Sequence, residues 1–377
     1  MTRRRPNLCL FTNRFGHGGT EHQFAELSSR IDQAKFHVQV ACLSRTGEFL
    51  EQVTSAGLPV LEFARGRWFA PRTAACTLRW MRFLRREQID LVHTFDFHTA
   101  AFAALPAKLA GVPLLVTSRR NLGTTLDGPR HWVLRRLFHL SDCVVANSEA
   151  ARQNLLGAGV PPERVQVVPN GVDLQRFSSN GNHAFARRRW GWKDETLLIG
   201  VIANLRPEKG HATLLEAVPR VVKSFPQAHF LLVGPDPLQH GERLRALASH
   251  LGAHVSFLGD CSEIPELLAA LDVFVLPSYS ESMPNAVMEA MSAGRPVIAS
   301  AVGGCKELIV DGETGILVPP RNPEALAAQI VRLLEEPGLR ETLGRAARKR
   351  AEAEFDIKVA VRRLEAIYDE LLNGVPA

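Results

Sequence analysis

The chain has 377 residues, 46% hydrophobic and 22% charged, a composition typical of a globular protein, and its length suits two domains of about 150 to 200 residues. No apolar run approaches the roughly 18 residues of a membrane span, and the six cysteines are too scattered for a disulfide framework or a zinc site. After the basic start only residues 8–11 form an apolar run, which favours a first strand over a signal peptide and predicts a cytoplasmic protein.

The net charge of +6 is unevenly distributed along the chain. Residues 1–180 hold 23 basic and 14 acidic side chains, a balance of +9, whereas residues 181–377 hold 22 and 25, a balance of −3. A basic half can meet nucleic acid, an anionic membrane or an anionic substrate. Because no zinc finger, aromatic RNA-binding signature or Lys/Arg tract is present, a membrane or an acidic substrate is favoured over nucleic acid.

Short apolar runs alternate with helical patterns in the first 180 residues. The runs have two apolar faces and are followed by turn residues, which is typical of buried strands. Strands are predicted at 7–13, 37–43, 91–95, 114–118, 143–148 and 165–171, and helices at 21–31, 73–87, 98–110, 130–140 and 149–157. The alternation predicts an α/β fold with a mainly parallel sheet covered on both faces.

The pattern is interrupted at residues 177–195, which are polar and then basic and aromatic, so the domains are predicted as 1–180 and 181–356. A second series of α/β units follows, and the last amphipathic helix, 357–372, is assigned to the first domain. The second series comprises strands at 196–204, 228–234, 255–260, 272–278, 296–300 and 315–320 and closing helices at 323–336 and 339–354.

Ligands of open α/β sheets bind beyond the carboxyl ends of the strands. After the first strand, GHGGTE (16–21) offers Gly18 and Gly19 and a helix N-terminus, which would let a phosphate approach the backbone; a plain glycine turn is the alternative. After the first strand of the second domain, NLRPEKGH (204–211) offers Arg206 and Lys209, which suit a diphosphate, although loop cations are often only solvated.

The stretch PSYSESMPNAVMEAMSAGRPV (277–297) predicts a helix over 284–293, capped by Ser282 and with Pro284 in its first turn. Glu281 would precede this helix, and Glu289 would lie about 7 Å further along its axis. The two carboxylates would hold separate hydroxyl-bearing parts of one ligand. Its phosphates would rest on N–H groups near Asn285 and Ala286. A dipole-favoured acid and a solvated helix residue are the alternative.

Two further groups follow first-domain strands. His98 would face the ligand or pack as a structural residue, and His93, inside the strand, is predicted to be structural. Arg119, Arg120 and Asn121 would bind an anionic acceptor or form a solvated turn.

Four motifs in order resemble the GT-B retaining glycosyltransferases of family 4 over nearly the whole chain. They are GHGGTEHQFAEL, VVANSEAARQNLLGAGVPPERVQVVPNGVDLQRF, VIANLRPEKGHATLLEAV and the long stretch from FLGD to LVPP. The resemblance implies two Rossmann-like domains facing across a cleft. It also implies Gly18 and Gly19 at the donor phosphate, Arg206 and Lys209 at the leaving diphosphate, Glu281 at the transferred sugar, Glu289 at the ribose and His98 near the reacting sugar.

Three departures from the family pattern stand out. Many relatives have His-x-His where this chain has His93-Thr-Phe95, Ser282 replaces a glycine after Glu281, and SRRN (118–121) replaces a loop of small residues. The side chain of Ser282 would affect which sugar is held, and the arginines indicate a charged acceptor.

The resemblance implies sugar transfer with retention from a UDP- or GDP-sugar to a glycan or lipid-linked acceptor, as in polysaccharide or glycolipid biosynthesis, with no cofactor and no metal. Helices at 78–88 and 130–140 mix arginine with aromatic residues, which would suit peripheral contact with an anionic membrane, the inner face of the plasma membrane, or packing in the core. A sugar-nucleotide epimerase or a phosphorylase of the same fold, and an inactive nucleotide-sugar-binding subunit, are the alternatives.

Overall fold

A computed structural model describes residues 4–64, 66, 70–122, 129–177 and 183–374. The chain divides into two units: the first runs to Gly171 and resumes at Ile357, and the second spans Val172–Asp356. The predicted boundary between residues 180 and 181 lies outside the described residues, and contacts place the division between Gly171 and Val172.

The first unit contains a seven-stranded sheet in which every neighbouring pair is parallel, in the order β3-β2-β1-β4-β5-β6-β7. Its strands are β1 (Asn7–Thr12), β2 (His37–Cys42), β3 (Val60–Glu62), β4 (Leu91–Thr94), β5 (Leu114–Arg119), β6 (Cys143–Ala146) and β7 (Val165–Val167).

Helices cover both faces of this sheet, so its central strands are apolar on both sides. They are α1 (Gly19–Ser28), α2 (Leu50–Ser55), α3 (Pro71–Arg86), α4 (Phe97–Leu109), α5 (Pro129–Leu140) and α6 (Glu149–Gly157), with a 3-10 turn at Pro162–Arg164. The last helix of the chain, which is labelled α15 (Ile357–Asn373), packs into the same unit through Leu364 and Tyr368.

The second unit contains a six-stranded parallel sheet in the order β10-β9-β8-β11-β12-β13. Its strands are β8 (Leu197–Ile202), β9 (Ala228–Val233), β10 (Val255–Gly259), β11 (Val273–Leu276), β12 (Val297–Ser300) and β13 (Ile316–Val318). Its helices are α7 (His183–Arg189), α8 (His211–Ser224), α9 (Gly241–Ala248), α10 (Ile264–Ala270), α11 (Asn285–Ser292), α12 (Cys305–Leu308), α13 (Pro323–Glu335) and α14 (Pro337–Glu354), with 3-10 turns at Pro207–Lys209 and Ser249–His254.

The two sheets share one strand order. Numbered within its own unit, each contains the sequence 3-2-1-4-5-6, the order of the Rossmann fold. The predicted α/β fold with two parallel sheets is confirmed. In each sheet the order reverses between two central strands, β1 and β4 in one and β8 and β11 in the other, and ligands of such folds bind where the order reverses.

The polar stretch predicted to separate the domains contains helix α7. Arg187 on this helix is only 2% exposed; its side chain forms an ion pair with Asp272 and donates to the carbonyl oxygen of Ala270 at 3.3 Å. Residues 183–195 are therefore part of the second unit rather than a linker. Within the described residues, no helix is both long and apolar enough to span a bilayer.

Candidate active site

The loops that follow β8 and β11 meet at the reversal point of the second sheet. Gly210 has φ of +70°, and a Cβ atom at this position would lie 1.9 Å from the carbonyl oxygen of Pro277. In addition, the backbone N–H of Tyr279 donates to the carbonyl oxygen of Glu208 at 2.7 Å. Only glycine fits so close an approach at positive φ, so this contact fixes the 3-10 turn Pro207–Lys209 against the loop after β11.

Lys209 and Glu281 form a hydrogen-bonded ion pair in this region. The Lys209 Nζ atom lies 2.6 Å from Glu281 Oε1, and the hydroxyl of Ser278 donates to the same oxygen at 2.7 Å. The Glu281 side chain is 7% exposed and that of Lys209 24%. A buried carboxylate needs such compensation. Lys209 and Glu281 were predicted from separate motifs, and neither motif indicates their contact or the part played by Ser278.

Arg206 precedes Lys209 by three residues, in the loop that follows β8. Its Nη1 atom is 3.7 Å from Glu208 Oε1, and its Nε atom is buried without a hydrogen-bond partner among the described residues. The Arg206 side chain is 41% exposed, so a ligand can reach part of it.

Helix α11 begins directly after the loop that carries Glu281. The predicted cap is wrong: Pro284, not Ser282, is the N-cap residue, and no side chain caps this helix. Ser282 is instead 8% exposed, and a Cβ atom at Gly304 would lie 2.0 Å from its carbonyl oxygen. The loop is therefore pressed against the start of α12.

The first turns of α11 carry the remaining donor-site candidates. Asn285 and Ala286 are its first two residues, and Glu289 follows one turn later on a half-buried position. The first N–H groups of a helix have no partner within that helix, so this end offers donors and a positive dipole end to an anion.

In the first unit, the glycine loop leads into α1 as the sequence predicts. Gly18 is the N-cap residue, and a Cβ atom there would lie 1.9 Å from Glu21 Oε2. The Glu21 carboxylate therefore lies over Gly18, a contact that the glycine motif alone does not indicate.

His98 is an exposed residue in the first turn of α4, positioned by Asp96. The carboxylate of Asp96 accepts hydrogen bonds from the backbone N–H groups of His98 at 2.8 Å and Thr99 at 3.1 Å, and from that of Asn13 at 3.0 Å. Burial raises the pKa of Asp96. Because Asn13 directly follows β1, one carboxylate links the loop after β1 to the helix that carries His98.

His93 is a core residue, which confirms its predicted structural role. Its Nδ1 lies 2.6 Å from the hydroxyl of Tyr368 and its Nε2 2.8 Å from that of Ser118. Burial, reinforced by the charge of Arg120, lowers its pKa well below the ordinary value, so the ring is neutral.

The alternative of a solvated turn at 119–121 is wrong for Arg119, and its acceptor-binding role stays a prediction. This residue ends β5, is 6% exposed, and donates to Asn154 Oδ1 at 3.1 Å. Arg120 is half-buried and donates to Asn170 Oδ1 at 2.6 Å, with its guanidinium 5.7 Å from the centre of the Phe95 ring. Burial lowers the pKa of each arginine to about 10. Asn121 remains exposed.

No group of three or more His, Cys, Asp or Glu residues suited to a metal ion occurs in the part of the chain that the structure describes.

Each half of the chain matches a known protein family. Residues 17–176 match the family Glycosyltransferase Family 4, and residues 182–350 match Glycosyl transferases group 1. The chain belongs to the group 1 glycosyltransferases.

Similar proteins agree with this assignment. A D-inositol 3-phosphate glycosyltransferase of Streptomyces bingchenggensis is 35% identical over 62% of this chain, a match that spans 54% of that relative's length. A phosphatidyl-myo-inositol mannosyltransferase of Mycobacterium tuberculosis is 30% identical over 81% of this chain and 79% of its own. The structure of HepE from Anabaena in complex with UDP-glucose superposes with a TM-score of 0.86 at 22% identity, covering 97% of this chain and 99% of that chain. This glycosyltransferase therefore has the GT-B fold.

Proposed function

We propose that this glycosyltransferase transfers a sugar with retention from a nucleotide-sugar donor, a UDP- or GDP-sugar, to a glycan or lipid-linked acceptor in polysaccharide or glycolipid biosynthesis. The observation that carries the proposal is the Lys209–Glu281 pair beside Arg206, at the strand-order reversal of the second sheet. Curated relatives named for inositol phosphate and phosphatidylinositol acceptors support a hydroxyl-rich, phosphate-bearing acceptor.

In the proposed reaction, the bond between the anomeric carbon and the diphosphate oxygen breaks. The acceptor oxygen bonds to that carbon on the same face, and the acceptor proton passes to the leaving diphosphate. Arg206, Lys209 and the N-terminus of α11 would stabilise the negative charge that grows on the diphosphate. Lys209 uses one of its three N–H donors on Glu281, which leaves the others for phosphate oxygens.

The remaining roles follow the chain's position in the family. Glu281 would contact the transferred sugar and Glu289 the ribose, with Ser282, Asn285 and Ala286 at the donor. Gly18 and Gly19 would approach the donor phosphate, and His98 would lie near the reacting sugar. Arg120 and Asn121 would face an anionic part of the acceptor.

We propose that no divalent metal is needed, because fixed cations supply the charge that a metal would otherwise supply. Transfer measured with EDTA and with added Mg²⁺ checks this. Equal rates are expected, and a rate that rises at least tenfold with Mg²⁺ would contradict the proposal.

We further propose peripheral contact with an anionic membrane, through helices α3, α4 and α5 on one face of the first sheet. Leu78 is 52% exposed, Leu105 55%, Leu109 63% and Trp132 61%, whereas Trp80 is buried in the core. Arg79, Arg82 and Arg86 lie on the same helix as Leu78 and are also exposed. Apolar side chains with basic neighbours suit the interface of an anionic bilayer. The proposed location is therefore the cytoplasmic side, at the inner face of the plasma membrane.

Sedimentation with vesicles of phosphatidylcholine and phosphatidylglycerol tests this membrane contact. Wild-type protein should bind in a salt-sensitive way, and the Leu78→Ser/Trp132→Ala variant should bind less. Leu247→Ser, an exposed leucine of the second unit, is the matched control. Equal sedimentation with and without anionic lipid would remove the membrane proposal.

The experiment that tests the function as a whole is a thermal-shift screen of nucleotides and nucleotide sugars, followed by transfer assays with the hits. A ligand present at 100 times its Kd stabilises the fold by about 2.7 kcal/mol. Transfer with retained anomeric configuration is the expected result. An epimerised donor without acceptor would instead indicate an epimerase, and tight nucleotide binding without turnover would indicate a binding subunit.

A further inference from the structure

A second candidate site lies in the second unit, at the opposite edge of its sheet from the Lys209–Glu281 pair. A cavity of about 770 Å³ opens where Asp272 and Pro296 directly precede β11 and β12. The donor-site residues follow the carboxyl ends of β8 and β11, so the cavity is at the amino-terminal edge of the same sheet. Its volume is within the range of about 300 to 1,000 Å³ that is usual for small-molecule sites.

The cavity is lined by an excess of cations. Five of its fifteen lining residues are arginine or lysine and three are aspartate or glutamate. All three acids are already paired: Asp272 with Arg187, Glu341 with Arg345, and Glu352 with Arg348. The positive charge that remains is therefore not balanced by the lining itself.

Two of the lining cations stabilise the backbone around the cavity. Arg295 donates to the carbonyl oxygens of Ala293 at 3.2 Å and Leu271 at 3.1 Å, and Arg348 donates to that of Phe177 at 3.2 Å. Each of these two guanidinium groups therefore already uses some of its N–H donors on the backbone. Arg340 and Lys349, by contrast, form no ion pair with any described residue.

Two residues that line this cavity carry buried donors without partners. The Nη1 atom of Arg340 and the hydroxyl of Ser292 are both buried, and neither has a hydrogen-bond partner among the described residues. Ser292 is 0% exposed and lines the cavity as the last residue of α11. Burying polar groups without partners costs free energy, which an anion with several acceptor oxygens would recover.

The shape of the cavity is fixed by a close backbone contact. A Cβ atom at Gly344 of α14 would lie 2.3 Å from the carbonyl oxygen of Gly294, which has φ of +67°. The helix therefore packs directly on the turn between α11 and β12, which forms a preorganised wall.

We propose that this cavity binds a phosphate-bearing anion, with Arg340, Lys349 and the Ser292 hydroxyl as its donors. Phosphate offers several acceptor oxygens, and charge-assisted hydrogen bonds from arginine to phosphate are among the stronger polar contacts in proteins. The site is separate from the nucleotide-sugar site, but α11 connects them, because Asn285 begins this helix and Ser292 ends it.

Calorimetric titration with sodium tripolyphosphate tests the site. Because the donor site would also take phosphate, the titration uses the Arg206→Ala/Lys209→Ala variant of the full chain. One binding event should persist, and adding Arg340→Gln should weaken its Kd by at least tenfold. Ser292→Ala should weaken it less, and provides a second variant that a helix accommodates readily.

Arg332→Gln is the matched control, because Arg332 is an exposed arginine of α13 that pairs with Glu336 outside the cavity. It removes the same charge from the same unit and should leave the Kd unchanged. No binding in the donor-site variant, or equal Kd values for Arg340→Gln and Arg332→Gln, would overturn the proposal.

Vesicles of phosphatidylcholine with one-fifth phosphatidylinositol 4-phosphate distinguish a lipid headgroup from a soluble anion. If Arg340→Gln lowers sedimentation as well as tripolyphosphate affinity, the phosphate source is a headgroup. If only the tripolyphosphate affinity falls, the ligand is a soluble phosphorylated compound.

Discussion

The ring of His93 on β4 and the hydroxyl of Tyr368 on α15 form a hydrogen bond of 2.6 Å across 275 positions of the chain. Both residues are buried in the core of the first unit. The last helix is thus attached to the central strands of the sheet by a polar contact as well as by its apolar face.

Tyr368→Phe should therefore destabilise the first unit by about 1–3 kcal/mol, because it leaves Nδ1 of a buried histidine without its partner. Urea unfolding measures the change. Tyr279→Phe is the matched control, since its hydroxyl lies 3.0 Å from that of Thr213 at a half-buried position and its loss should cost less. Equal stability of the wild type and Tyr368→Phe would show that this contact contributes nothing.

Lys209→Ala should lower kcat/KM for sugar transfer by about a hundredfold or more, the scale of one lost preorganised donor. It also removes one of the two donors on the buried Glu281 oxygen, so a lower melting temperature is expected as well. Lys223→Ala, on an exposed position of α8, should change neither quantity. Unchanged turnover in Lys209→Ala would exclude Lys209 as a stabiliser of the leaving diphosphate.

Asp96→Ala should reduce both stability and transfer, because Asp96 caps α4 and also accepts the N–H of Asn13. Loss of an N-cap costs about 0.5–2 kcal/mol. Ser148→Ala removes the cap of α6, where the hydroxyl accepts from Ala151 at 3.1 Å, and should lower stability alone. Thermal unfolding measures the change in stability, and kcat/KM measures the change in transfer. If Asp96→Ala, like Ser148→Ala, lowered stability without lowering kcat/KM, Asp96 would have no role in positioning His98.

Acidification should destabilise the second unit through His211. Burial, followed by the charge of Lys209, lowers the pKa of His211 from 6.5 to about 4. Between these values the unfolded chain binds a proton that the folded chain does not, so stability falls as pH falls through this window. The slope is up to about 1.4 kcal/mol per pH unit.

Unfolding free energies of wild type and His211→Asn, measured from pH 7 to pH 4, check this dependence. The variant should show a shallower decline whatever its stability at pH 7. The exposed His250, replaced by Asn, serves as the control and should keep the wild-type slope. A His211→Asn slope equal to that of the wild type would contradict the assignment.

Strands with two apolar faces and glycine-bearing turns could be predicted from the sequence, because burial dictates their composition. β3 was missed because it has three residues, none of them fully buried. α7 was missed because its pattern is basic, and the burial of Arg187 depends on Asp272, which lies far away in the chain.

The sequence indicates which residues belong to the candidate site, but it does not indicate which of their side chains touch. The motifs after β8 and β11 marked Lys209 and Glu281, since both loops follow strands, but only the packing of Gly210 on Pro277 brings the side chains together. Arg119 could not be distinguished from a solvated loop residue, because its burial depends on Asn154 and on helix α5.

The two points at which the chain passes between units have a further consequence for protein engineering. In the first unit, a Cβ atom on Gly171 would lie 2.6 Å from the Cα atom of Ile357, and in the second, the N–H of Val172 donates to the carbonyl oxygen of Phe355 at 2.8 Å. The second unit is therefore an insertion with adjacent ends. We therefore expect that residues 172–356 can be excised as one segment and Gly171 rejoined to Ile357 through a short linker, which would open each half to separate expression, exchange between relatives and circular permutation.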